Sequence, residues 1–133
     1  MKRGGFMAQV SQRERIAQYI QNRYGAEPEY LWARYPNYVV FRQSASRKWF
    51  AIIMDVARKS LDLEGDGTAD VMDLKCGQAL VGSLLAQDGF LPAYHMSKSS
   101  WISVLLNETV SDEEIYPLLE LSYDSAAPKQ KRT

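Results

Sequence analysis

KWFAIIMDV, residues 48–56, decides the fold. Its aromatic and β-branched side chains, with no polar helical face among them, read as a strand. Alternation places Phe50, Ile52, Met54 and Val56 on one side of it. Upstream, YVVFRQ at 38–43 has the same chemistry, and SASR at 44–47 is turn material. The pair predicts an antiparallel hairpin.

The strand reading also settles the next segment. DLEGDGTADVMD, residues 62–73, nearly matches a calcium-binding EF-hand loop, with acids at positions 1, 3, 5, 9 and 12 and glycine at 6. Glu64 is longer than the usual residue at position 3, however, and Asp73 is too short for the usual bidentate glutamate at position 12. An EF-hand also needs a helix before its loop, where this chain has a strand. The segment is therefore read as a polar hairpin loop leading into a strand over Asp70–Lys75.

Working outward, SQRE at 11–14 fits a capping box, and Ile16, Tyr19, Ile20 and Tyr24 come after it at helical spacing before Gly25. A second helix is predicted from Gly77 to Gln87, stopped by Gly89, with Leu80, Val81, Leu84 and Leu85 on one face. FLPAYH at 90–95 and WISVLL at 101–106 read as strands around a polar tip at 96–100, with Ile102, Val104 and Leu106 opposite Trp101, Ser103 and Leu105. SDEE at 111–114 caps a last helix, which Pro117 should bend or restart. The element order is α-β-β-β-α-β-β-α. Phe50, Ile52, Met54, Ile102 and Val104 are expected on one sheet face, against the helices that begin near Ser11 and Ser111.

Composition bounds the function classes. The chain has 133 residues, 46% of them apolar and 24% charged, as in an ordinary single domain. With one cysteine the fold does not rest on a disulfide, and Cys76 is read as a small core residue. No apolar run follows the charged N-terminus as in a signal peptide, and none approaches the ~20 residues of a membrane span, so a cytoplasmic protein is expected. There is no phosphate-binding glycine loop, and one histidine with one cysteine argues against a zinc site. A serine–histidine–acid triad lacks any marked nucleophile. The expectation is a protein with no catalytic residues, no metal and no cofactor.

The formal net charge of zero hides an asymmetry. Residues 1–60 carry eleven Lys or Arg against four Asp or Glu, whereas residues 61–127 carry two against twelve. Residues 31–60 concentrate Arg34, Arg42, Arg47, Lys48, Arg58 and Lys59 against one acid, Asp55. Such a stretch suits a phosphate-facing surface.

YPNYVVFR at 35–42, KWFA at 48–51, LKC at 74–76, HMSKSSW at 95–101 and IYPLLELSY at 115–123 together resemble the MmcQ/YjbR family, over roughly residues 10–127. The resemblance implies an α+β fold of two layers, α-β(3)-α-β(2)-α, with a single antiparallel sheet packed against helices. Its shape is related to secretion chaperones and frataxin-like proteins. It implies DNA binding without agreed catalytic residues. Ser100 departs from the family, whose members often carry a further histidine before the tryptophan, and Pro117 departs within the last helix. The implied domain layout is a flexible N-terminus over 1–9, the family domain over 10–127 and a basic disordered tail over 128–133.

Three functional classes stand open. In the first, basic hairpins bind nucleic acid weakly and in a salt-sensitive way: Arg42, Arg47, Lys48 and Lys98 meet phosphates, while His95 or Trp101 stacks on a base or sugar. In the second, the protein is an interaction module resembling a small chaperone. In the third, it holds a small ligand in a pocket near Trp32, Trp49 and Trp101. For the 95–101 segment, the structural alternative has Trp101 packed on the sheet, His95 bonded to backbone and Lys98 solvated.

Overall fold

Two serine-headed segments start the two long helices. The computed structural model describes residues 10–129. The stretches read as a flexible N-terminus (1–9) and most of the basic tail (130–133) lie outside the described residues. Helix α1 is Gln12–Tyr24, and helix α3 is Asp112–Ser125. Each opens with a complete capping box. Ser11 accepts from the Glu14 amide while Glu14 accepts from the Ser11 amide, and Ser111 and Glu114 do the same. Gly25 closes α1 in the left-handed region at φ 64°. Helix α3 runs through Pro117 without interruption, so of the expected bend or restart the helix does not restart there. Burial of Ile115, Leu119 and Ser122 along one stripe holds it across the hydrogen bond that proline cannot make.

Between them lie β1 (Val39–Arg42), β2 (Trp49–Ala57), a 3-10 turn over Arg58–Leu61, β3 (Thr68–Lys75), helix α2 (Gln78–Leu85), β4 (Phe90–Pro92) and β5 (Trp101–Leu105). The five strands form one antiparallel sheet in the order β1-β2-β3-β5-β4. Core residues of all three helices meet one face of the sheet. Loops cover the opposite face, through Trp32, Tyr38, Leu61, Ala93 and Tyr94. This is the expected α+β architecture. No helix among the described residues is long and apolar enough to cross a membrane.

The alternation expected along 48–56 is broken. Phe41 pairs with Ala51 but Arg42 pairs with Trp49, which leaves Phe50 as an extra residue in β2. This bulge turns Phe50 and Ala51 to the helix side with Ile53. Ile52, Met54 and Val56 lie on the loop-covered side. Of the five residues assigned to one face, Phe50, Ile102 and Val104 share it, and Ile52 and Met54 do not. A bulge leaves backbone groups unpaired, and α3 supplies their partner: the buried Ser122 hydroxyl donates to the Phe50 carbonyl at 2.6 Å and accepts from the Lys75 amide at 3.0 Å. Phe50 itself packs edge-on against Tyr24 and Tyr123.

Other boundaries moved for tertiary reasons. Helix α2 stops at Leu85, well short of Gly89, which sits at φ 91° in the turn before β4. A Cβ there would lie 2.6 Å from Val110, so only glycine allows that close approach. The strand expected at 90–95 ends at Pro92, which places Tyr94 and His95 in the following loop. Gln12, the first residue of α1, is fully buried and binds Val110, Asp112 and Glu108, joining the starts of both long helices.

Candidate functional site

The 43–48 turn is built to present cations. Gln43 is buried, and its Oε1 accepts from the amides of Ala45 and Ser46 at 2.7 and 2.8 Å. Ser46 accepts from the Lys48 amide, and Arg47 adopts φ 65°. The tip thus has a set shape, with Arg42 and Arg47 emerging on the same side. Both meet Glu29. Arg42 Nε lies 3.0 Å from each carboxylate oxygen, and Arg47 reaches one at 3.3 Å. Arg42 also donates to the Arg47 carbonyl. Two of the expected phosphate contacts therefore share one local counter-charge.

A cleft of about 420 Å³ gathers Arg42, Arg47, Lys48 and Lys75, with Trp49 and Trp101 also among its walls. Register explains the convergence: Arg42 lies across from Trp49, and Lys75 across from Trp101. Lys48 and Lys75 have no ion-pair partner among the described residues. The end of α3, at Ser125 and Ala126, forms one rim. Its carbonyls carry partial negative charge, which leaves the hairpin side as the place for an anion.

The remaining candidates lie elsewhere. Trp101 is only 8% exposed and belongs to the loop-side core, as the structural alternative required. His95 and Lys98 are exposed residues of the 93–100 loop. With Leu61 and Asp62 they line a separate depression, across Met96 from the basic cleft. His95 adopts φ 66°, and its ring lies 4.0 Å from that of Tyr94. The six residues named from sequence therefore divide: Arg42, Arg47, Lys48 and Trp101 share the basic cleft, Lys98 lies apart, and His95 lines both the separate depression and the aromatic cavity next to the cleft.

Beside the cleft, sharing Trp49 and Met96 with it, is a cavity of about 360 Å³. Trp32 and Trp49 line it, as the small-ligand reading asked, although Trp101 does not. Asp73, also among its lining residues, is completely buried. Its Oδ1 accepts from the Ser103 hydroxyl, which in turn accepts from the Tyr94 amide at 3.0 Å. Oδ2 has no hydrogen-bond partner. Burial pushes the carboxyl up to about 7, against the opposing pull of Ser103, the Tyr94 backbone and Lys98.

Sequence reasoning weighed Asp73 as the last position of an EF-hand-like loop, set that aside for a strand over Asp70–Lys75, and passed over both Asp73 and Lys75 as site residues. The available signal for Asp73 was an acid at a strand position that alternates with Met72 and Leu74. Two of the EF-hand-like positions have other partners. Asp70 pairs with Arg13 of α1, while Asp73 sits on the other side of β3 beside Ser103. Alternation along one strand keeps them from closing around an ion. No group of three His, Cys, Asp or Glu is placed to hold a metal among the described residues. Cys76 is buried in the helix-side core, and burial raises its thiol above the ordinary value.

The sequence profile of the YjbR family matches residues 21–125. YyaQ of Bacillus subtilis is 40% identical over 111 residues, which cover 84% of this chain and 94% of that protein. A crystal structure of a Pseudomonas syringae protein matches with a TM-score of 0.84 at 41% identity, covering 86% of this chain and 98% of that one. A solution structure from the same organism gives 0.80 at 39% identity, over 91% and 97%. A Deinococcus radiodurans protein at 20% identity and TM-score 0.59 shares the fold.

Proposed function

We propose that this chain, which belongs to the YjbR family, is a non-catalytic domain that holds the sugar–phosphate backbone of nucleic acid, weakly, in the cleft between its first hairpin and the end of β3. The observation that carries this reading is the convergence of Arg42, Arg47, Lys48 and Lys75 on one open cleft beside two tryptophans. Four cations against the one carboxylate of Glu29 leave a local excess of positive charge. The many acids of residues 61–127 disfavour phosphate over much of the remaining surface.

The charge count bounds the affinity. Each phosphate neutralised on a single strand adds about −0.7 to the slope of log affinity against log salt. Four contacts give a slope of about −3 at most, which is a modest interaction that salt removes. Titrating fluorescent oligonucleotides at several salt concentrations into wild type, Lys48→Ala, Lys75→Ala and Glu29→Gln tests it. The two lysine variants should each flatten the slope by about 0.7. Glu29→Gln releases two guanidinium groups and should tighten binding several-fold, a change opposite in sign. No saturable binding at low salt, or slopes that none of the three variants alters, would remove the cleft from consideration.

A protein-docking role has less support. Tyr30, Leu31 and Tyr35 are the exposed large apolar side chains of the 29–38 segment, at 65%, 45% and 50% exposure. They occupy one loop rather than a broad apolar face.

A further inference from the structure

A buried carboxylate oxygen without a hydrogen-bond partner is rare in a folded protein and costly, the more so when charged. Asp73 has such an oxygen in the middle of a sheet, where an apolar residue would fill the same place. Its other oxygen is anchored by Ser103, directly across the ladder, and Ser103 is held by the Tyr94 amide. The carboxyl is thus fixed in orientation with Oδ2 unused. The cavity it helps to line has aromatic walls. Trp32 meets Trp49 at 5.8 Å and Tyr38 at 5.9 Å between ring centroids, both at steep angles. A volume of about 360 Å³ falls in the range of small-ligand pockets.

The charge of the neighbourhood selects among ligands that could partner Oδ2. Trp49 and Met96 are common to this cavity and to the cleft holding Arg42, Arg47, Lys48 and Lys75, and Lys98 is near enough for Asp73 to feel its charge. Those cations oppose a cationic ligand. They favour a neutral, flat N–H donor attached to a phosphate.

We propose that the cavity receives one unpaired nucleobase of a strand whose backbone lies in the basic cleft, with Asp73 Oδ2 accepting an N–H from its Watson–Crick edge. This rests on the backbone-binding reading above. Aromatic walls supply contact with any base, and the carboxylate supplies discrimination. Guanine fits best, because its N1–H and N2–H groups are adjacent donors with no acceptor between them. The amino groups of adenine and cytosine stand beside a ring-nitrogen acceptor, and the N3–H of thymine lies between two carbonyls. Met96, unbranched and partly buried, is the wall able to yield to an entering ring. Bases in a duplex keep this edge paired, so a single strand is the ligand.

The test uses short single strands of thymidine, with and without a central dG, and the corresponding duplex, titrated at low salt and followed by tryptophan fluorescence. The dG strand should bind about tenfold more tightly than the all-dT strand, and more tightly than the duplex. Asp73→Asn should bring the dG strand down to the all-dT level while leaving the salt slope unchanged. Trp32→Ala, a change in a loop away from the helix-side core, should weaken both strands and flatten neither slope. If dG and all-dT strands bind alike with a salt slope that Lys48→Ala reduces, the base pocket is wrong and the backbone cleft stands. If neither strand binds saturably, both fall together.

Discussion

Replacing Asp73 by Asn should remove a pH dependence of stability that the wild-type protein carries. Burial lifts this carboxyl from the ordinary 3.8 to about 7, so the folded chain holds its proton over an interval in which the unfolded chain has lost it. Because the folded state binds more protons between those values, stability falls as pH rises from about 4 to 7 and is level outside that interval. Each tenfold separation is worth about 1.4 kcal/mol. The whole effect is roughly 4 kcal/mol, of which about 2 to 3 kcal/mol falls between pH 5 and pH 8. Asn cannot ionise. Its amide, placed where Oδ2 has no partner, carries its own cost of about 1–3 kcal/mol, but that offset is the same at both pH values. Asp112, whose carboxyl the Arg15 guanidinium holds below the ordinary range, loses its contribution only in acid and does so in both proteins. Urea unfolding of wild type and Asp73→Asn at pH 5 and pH 8 isolates the difference. The variant should gain about 2 to 3 kcal/mol on wild type between the two conditions. Parallel behaviour of the two proteins would show that Asp73 ionises normally, and the argument from its burial would fail.

Three further outcomes are expected. Ser122→Ala should destabilise the protein by about 2 kcal/mol in chemical denaturation, because it strips partners from the buried Phe50 carbonyl and the Lys75 amide at once. An effect under about half a kcal/mol would mean that the bulge does not depend on this hydroxyl. Gly89→Ala should cost about 1–3 kcal/mol or prevent folding, since it combines a left-handed backbone with a 2.6 Å approach to Val110; an unchanged midpoint would contradict the turn geometry. Millimolar calcium should leave the amide resonances of Asp62, Asp66 and Asp73 in place, and saturable shifts confined to them would overturn the rejection of an EF-hand-like site at 62–73.

Much of this protein was legible from sequence because much of it is decided locally. A capping box spans four consecutive residues, so Ser11–Glu14 and Ser111–Glu114 announced the helix starts without help from the rest of the chain. The β-branched and aromatic runs gave the element order, and the strict alternation of Trp101–Leu106 placed each side chain of β5 on its correct face. Arg42, Arg47 and Lys48 lie close together in the chain, so their meeting at one hairpin tip was also readable. Tertiary structure decided whatever depends on a distant partner. The bulge at Phe50 is invisible in KWFAIIMDV because its stabilising hydroxyl comes from Ser122 on the last helix. Glu29's grip on both arginines depends on its segment lying beside β1, joined by the Glu29–Val40 bridge. His95 left the cleft for the neighbouring cavity because its strand ends early at Pro92, and Lys98 stays in the loop on the far side of Met96. Asp73 became a candidate site only when β3 paired with β5 and set it opposite Ser103, under loops contributed by residues 32–38 and 94–96. Periodicity reports which way a side chain points; only the folded chain determines what it meets there.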